Sequence, residues 1–277
     1  MNDITPPPLL IPRAVFDDVE RLGLLLNVGQ KAAGLVHGTI SGDLAGQSMN
    51  SSHFKVAAYV LLIKGLKTFH AIQTLCRCGF GADALALCGS LFENVVDIAY
   101  MAKAPVRRPL RYMQFEQVGK YYQLLKGLKQ KRLPKGERED LKRHLTSIEP
   151  QARKLLKHYP SAQAGWAQKS IRERARAIGL LFEYDNLYWV FCGYKHSLPM
   201  AVSGFFVIEE GAPQTAAGPN VKGIFHASLH STDYLMRLFR LFTRAYSVNK
   251  ENEIGGLAKE LVGAAAEVYQ KYPDLCD

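Results

Sequence analysis

The chain predicts an all-α fold: a single multi-helix bundle of about eight or nine helices, with a small irregular or β-like insertion near 198–223. Two observations carry this. Apolar residues recur at spacings of three and four through most of the sequence, the period of an amphipathic helix. The 277 residues are 48% hydrophobic and 22% charged, proportions of a globular protein with one large core or two modest ones.

The elements follow in order. Phe16, Val19, Leu22, Leu25 and Leu26 form the stripe of a first helix, about 14–30. Pro6 to Pro8 and Pro12 keep it from starting earlier. Glycine and serine over 38–51 read as a loop, and Ser51 or Ser52 can cap a second helix that runs to about Cys78. Its expected inward face is Val56, Val60, Ile63, Leu66, Phe69, Ile72 and Leu75. Gly79-Phe80-Gly81 ends it, and a third helix spans about 82–102. Pro105 and Pro109 mark the next break. Two more polar helices, about 110–131 and 136–158, suit an outer position. A connector at 160–167 leads to a short basic helix, about 170–178, and an aromatic-rich one, about 180–195. Residues 204–209 have strand-like composition without clear alternation, and a long Gly/Pro loop follows. Helices at about 225–246 and 253–272 close the chain. No repeat and no long linker divides it, so 1–277 reads as a single helical domain with 1–12 as a flexible N-terminal segment.

The longest uninterrupted apolar run near the centre, Val56 to Ile63, falls short of the ~20 residues that span a bilayer. The first eleven residues lack the basic and apolar regions of a signal peptide. No membrane association and a cytoplasmic location are therefore expected. The five cysteines, Cys76, Cys78, Cys88, Cys192 and Cys276, are odd in number, and most lie in apolar helical stretches, as buried free thiols do. No second pair joins Cys76 and Cys78 at zinc-ligand spacing.

Charge is uneven. Residues 101–180 hold 20 Lys or Arg against 6 Asp or Glu, a net of +14, whereas the rest of the chain nets −4. A polyanion is the partner such a block suits, nucleic acid being the commonest; two solvated helix faces are the plainer account. Arg107, Arg108, Arg111, Lys169, Arg172 and Arg176 are the candidate nucleic-acid contacts.

Glu93 and Asp97 are the only charges between Ala84 and Ala102. Four residues apart, they sit one turn above each other on an apolar helix, where an unpaired carboxylate is costly. They serve a metal or a proton transfer, or clamp an Arg or Tyr. No Glu-x-x-His accompanies them, so a di-iron bundle is not indicated. Tyr194-Lys195-His196-Ser197 ends the aromatic helix, where the helix dipole raises the basicity of a histidine. His196 there is a candidate acid or base, or a simple C-terminal cap. His226, His230 and Asp233, at i, i+4 and i+7, share one face and suit either a metal or a hydrogen-bond network; Asp233 can instead pair with Arg237. Arg153 and His158 stand at the Arg-x4-His spacing of a superfamily of helical ribonucleases, a short pattern that basic helices produce easily. No phosphate-binding loop or nucleophile elbow is present, and no cofactor is indicated.

Two blocks together carry a family resemblance. One is Ala84-Leu-Ala-Leu-Cys-Gly-Ser-Leu-Phe-Glu93-Asn-Val-Val-Asp97-Ile-Ala-Tyr100; the other runs from Trp166-Ala-Gln-Lys-Ser170-Ile-Arg172-Glu-Arg-Ala through Tyr184-Asp185 and Tyr188 to Tyr194-Lys195-His196. Over about 54–200 the chain resembles the bacterial family catalogued as domain of unknown function 5677. The resemblance implies a helical bundle and places Glu93 and His196 in one site, without an established activity. The resemblance implies a pattern in which an Arg often stands where this chain has Gly89, a departure that counts against Arg-dependent chemistry on the third helix.

The reading that follows is a helical protein with an internal polar site of Glu93, Asp97, Tyr194 and His196, its basic block binding nucleic acid or another polyanion. On that reading it is a nuclease or toxin-like defence protein with His196 as acid or base. The alternative is a non-enzymatic interaction or scaffold protein whose buried polar residues are structural.

Overall fold

Helical periodicity dominates the sequence, and helices dominate the structure, a computed structural model. It describes residues 11–44, 52–130, 132–161, 164–202, 206–209, 212–215 and 218–276. The helices are α1 (Arg13–Arg21), α2 (Gly23–Ser41), α3 (His53–Arg77), α4 (Gly81–Ala102), α5 (Arg107–Leu128), α6 (Lys135–Leu156), α7 (Ile171–Ile178), α8 (Leu181–Glu183), α9 (Trp189–Lys195), α10 (Pro199–Val202), α11 (Ile224–Tyr246) and α12 (Glu251–Lys271). A π-helical turn, Tyr184–Tyr188, joins α8 to α9. The fold is all-α with a small β-hairpin, β1 (Phe206–Glu209) antiparallel to β2 (Ala212–Thr215), inside the expected insertion. Of the N-terminal segment 1–12, residues 1–10 lie outside the described residues.

The chain divides into two compact units interleaved in sequence. One comprises 1–47, 60–95 and 182–277; the other comprises 48–59 and 96–181. Three of the four divisions fall inside helices, 59/60 in α3, 95/96 in α4 and 181/182 in α8, where no linker composition announces them; the fourth, 47/48, lies in the Gly/Ser stretch outside the described residues.

In the first unit α2 packs on α11 and α12. Its buried face is Leu25, Leu26, Val28, Ala32, Ala33 and Val36. That packing extends the helix to Ser41 through Gly34 and Gly38, residues that read as the approach to a loop. Burial of an apolar face outweighs the ~1 kcal/mol cost of each helical glycine. The helix expected at about 14–30 is likewise two, α1 and α2, parted at Leu22.

The face of α3 differs from expectation. Ser52 caps the helix, its Oγ accepting the Lys55 N–H at 3.2 Å. Val60 and Ile63 point outward, 50% and 38% exposed, while Leu61, Leu62, Leu66, Phe69 and Ile72 are buried. Gly65 explains the choice. A Cβ there would lie 2.6 Å from Leu238 Cδ1, so α11 approaches on the side where α3 has no side chain. Leu66, Phe69 and Ile72 lie inward as expected, and close approach at Gly65 brings Leu61 and Leu62 inward in place of Val60 and Ile63. Pro109, expected in the break, occupies the first turn of α5, where its missing N–H costs nothing. Pro199 similarly opens α10.

α4 is long and apolar enough, by length and composition, to cross a membrane; 67% of its most apolar window is buried within the protein. Its first residue meets the segment before α11. Gly79 has φ +79°, and its carbonyl accepts the Asn220 N–H at 2.7 Å. A Cβ on Gly81 would stand 2.2 Å from the Lys222 carbonyl oxygen and 2.5 Å from the Ile224 nitrogen. Both are backbone atoms, which cannot swing aside.

In the second unit α5 and α6 pair as a helical hairpin. Val118 and Tyr121 of α5 and Ala152 of α6 are buried. Tyr159 is fully buried, and its hydroxyl donates to the Arg111 carbonyl at 2.8 Å.

Gly81→Ala is expected to lower stability by about 1–3 kcal/mol, the cost of forcing a methyl into packed backbone. Gly119→Ala, at a position open to solvent, serves as the control and is neutral or stabilising. Urea unfolding midpoints of the two variants measure the difference.

Candidate functional site

The carboxylates of α4 are each committed to a partner. Asp97 belongs to the second unit, where Arg174 forms an ion pair with it. Arg174 is held in place by the start of α7. Ser170 and Glu173 make a reciprocal capping box: Ser170 Oγ accepts the Glu173 N–H, and the Glu173 carboxylate accepts the Ser170 N–H at 2.8 Å. Gly179, at φ +86°, ends the helix. The Arg174 guanidinium lies over the Trp166 ring, 5.6 Å from its centroid, and Trp166 Nε1 donates to Asp97 Oδ2 at 3.4 Å. Tyr100 and Tyr112 meet the indole edge-on. The side chains of Arg174 and Asp97 are only 10% and 16% exposed. Desolvation makes each charge depend on the other.

Glu93 belongs to the first unit. Tyr188, the last residue of the π turn, donates its hydroxyl to Glu93 Oε1 at 2.7 Å. The turn has a local cause: the Asn186 side chain donates to the Phe182 carbonyl at 2.8 Å, the acceptor an α-helix gives to the Asn186 backbone N–H. Burial and then the Glu93 hydrogen bond push the Tyr188 phenol far above its usual range, with Cys192 adding to the effect. The group stays protonated and donates. Gly89 sits one turn before Glu93, where a Cβ would lie 3.3 Å from Phe191 Cβ and 3.8 Å from the Tyr188 ring. The absence of a side chain at 89 lets α9 and the π turn close on α4.

His196 is the C-cap of α9 and is exposed. No hydrogen bond or ion pair joins it to Glu93. Tyr188 holds the carboxylate instead, and eight helical residues, a rise of roughly 12 Å, separate Tyr188 from His196. Tyr194 is half-buried and lines a cavity of about 260 Å³ together with His226 and His230.

His226 and His230 stack in parallel on α11, 5.9 Å apart at 8°. Asp233 does not join them as a third ligand. It pairs with Arg237 at 2.8 Å, and Arg237 also binds Glu183 at 2.9 Å. Among the described residues no cluster of three His, Cys, Asp or Glu is arranged to hold a metal ion. The His230 imidazole is pushed down to about 4, by burial first, then by His226 and Arg237. Asp233 is raised by burial, against the pull of Arg237.

The five cysteines are free, with Cys76, Cys88 and Cys276 buried. Burial pushes the Cys76 thiol up to about 12 and Cys88 well up, so neither is a nucleophile at neutral pH.

The basic candidates divide. Arg108 lies over the Tyr100 ring at 3.7 Å and donates to the Tyr100 carbonyl at 2.6 Å. Arg111 donates to the His158 carbonyl at 2.6 Å and faces the Tyr159 ring. Arg107, Lys169, Arg172 and Arg176 are exposed. Arg107, Arg111 and His158 line a cavity of about 500 Å³ with no carboxylate in its wall. Arg153 pairs with Glu149 at 2.7 Å, and no hydrogen bond joins it to His158.

Sequence reasoning found Arg237 as the partner of Asp233 but did not select Tyr188, Trp166, Arg174 or Glu183. Tyr188, Trp166 and Arg174 lie in the two blocks that carry the family resemblance, which was the available signal. Glu183 had none, since it lies 54 residues from Arg237.

A family model described as a family of unknown function (DUF5677) matches residues 55–213. No curated protein and no solved structure matches the chain.

Arg174→Met leaves Asp97 buried without its cation and is expected to cost about 3–5 kcal/mol; Asp97→Leu in the same chain recovers most of the loss. Chemical denaturation followed by tryptophan fluorescence measures both. His230 gives a pH dependence. Its folded pKa, about 4, lies below the ordinary 6.5, so the unfolded chain binds the extra proton between those values. Its contribution is complete above pH ~6.5 and is lost as the pH falls towards ~4, by about 2–3 kcal/mol. His230→Gln flattens the stability profile in that window.

Proposed function

The chain belongs to the DUF5677 family of unknown function, and we propose that it is a nucleic-acid-binding protein whose basic unit, 96–181, supplies the phosphate contacts. One observation carries this reading: the net charge of +14 is confined to residues 101–180 while the remainder nets −4. Counterion release from a polyanion rewards such clustering, and isolated surface charges do not need it. Exposed Arg107, Lys169, Arg172 and Arg176 support it, as does the basic cavity with Arg107, Arg111 and His158 in its wall. Arg108 and Arg111 serve mainly by shaping that surface, since their guanidinium groups are held by carbonyls and rings.

Cleavage of the bound strand, as in a ribonuclease or toxin-like defence protein, is the finer part of the proposal. Its acid–base group is His196, whose exposed imidazole has no hydrogen-bond partner among the described residues. A cytoplasmic setting suits the free thiols. A second reading, a non-enzymatic interaction protein, is favoured by the closure of both α4 carboxylates, Glu93 by Tyr188 and Asp97 by Arg174.

Titration of labelled single-stranded RNA and duplex DNA against the protein at several salt concentrations tests the binding reading. Affinity is expected to fall steeply with salt. The triple variant Arg107→Ala, Lys169→Ala, Arg176→Ala should reduce the slope of log K against log salt by roughly two to three. A salt-independent or absent interaction favours the second reading. Loss of RNA cleavage in His196→Ala with binding retained separates catalysis from binding.

A further inference from the structure

The cavity beside Tyr194 has a composition that helix packing alone does not require. Leu85, Val190 and Phe191 make an apolar wall in a space of about 260 Å³. Four polar side chains face the same space: Tyr194 from α9, Lys222 from the segment before α11, and His226 and His230 from α11. Among the described residues none of the four has a side-chain hydrogen bond or ion pair. An apolar pocket with a few convergent polar groups is the usual form of a small-molecule site.

We infer that this cavity is a binding site for a small amphipathic anion, one flat apolar ring carrying a carboxylate or a phosphate monoester. The sign follows from the wall: it holds one ammonium group, Lys222, and no Asp or Glu. The size follows from the volume, which lies just below the ~300–1,000 Å³ of drug-sized sites and suits a single ring with one headgroup. The orientation follows from what stands on the other side. His230 also lines a neighbouring cavity of about 360 Å³ whose wall includes Glu183 and Asp233. Arg237, in the same wall, is already paired with both carboxylates, so Lys222 is the uncommitted cation and draws the oxyanion to its end, leaving the ring against Leu85 and Phe191. Phe191 already meets the His230 ring edge-on, 5.8 Å between centroids, so the aromatic wall is set before a ligand enters. Burial keeps the His230 ring uncharged at neutral pH, so it offers one donor and one acceptor rather than a second cation. Tyr194, whose phenol burial raises further above neutral pH, supplies a hydroxyl donor. The site is independent of the basic unit and of the nucleic-acid reading.

The test uses the full chain with three probes, benzoate, phenyl phosphate and neutral benzyl alcohol, measured by calorimetric titration and by shifts of the histidine ring signals. At least one anion is expected to bind with a Kd below about 1 mM and to move the His226 and His230 signals, with benzyl alcohol about tenfold weaker. Lys222→Met, on an exposed residue, should weaken the anion about tenfold. Val190→Phe should fill the cavity and abolish binding with the melting temperature retained. Binding of benzoate alone identifies a carboxylate ligand; binding of phenyl phosphate alone identifies a phosphate monoester. Failure of both anions overturns the inference, as does binding that survives both variants or fails to distinguish benzyl alcohol from the anions.

Discussion

A carboxylate on a buried helix must be neutralised or hydrogen-bonded, and α4 carries two. Taking such a charge from water costs several kcal/mol, more than any single apolar contact returns. The fold meets this demand separately for each group. Asp97 takes a full ion pair from Arg174, with the Trp166 indole N–H as a second donor. Glu93 takes a neutral phenol donor from Tyr188. The capping box that starts α7 and the π turn between α8 and α9 make sense in this light, because each fixes the element that delivers the required partner.

Close approach of helix backbones is the second organising constraint. Gly65 admits Leu238, Gly81 admits the backbone at Lys222 and Ile224, and Gly89 admits Phe191 and Tyr188. These glycines lie on α3 or α4 and face the C-terminal part of the first unit. They have no side chain where another helix or turn needs the space. At Gly89 a long side chain would displace the turn that presents Tyr188 to Glu93.

The two units have different chemical characters. The unit at 96–181 holds all of the excess positive charge, and its buried polar cluster is closed by internal pairing. The other unit holds the cavities flanked by His230, one with the Glu183–Arg237–Asp233 ion-pair network in its wall and one with unpartnered polar side chains. The proposed polyanion contacts therefore fall in the unit at 96–181, and the proposed small-molecule cavity in the other.

The sequence by itself determined the helical class, most helix positions, the place of the insertion, the charge block and the need for partners to Glu93 and Asp97. These depend on local periodicity, on capping residues and on the cost of burying charge, all legible in short windows. It did not determine which partners arrive. Arg174 lies 77 positions after Asp97 and Tyr188 lies 95 after Glu93. Several arginines and tyrosines in those stretches satisfy the same chemistry. Nor did it decide that α3 turns Val60 and Ile63 outward and buries Leu61 and Leu62 in their place, since both choices keep the helical period. Only the tertiary structure settles such choices, because they turn on how closely two backbones pack, and a missing side chain on one helix carries no record of what fills its place.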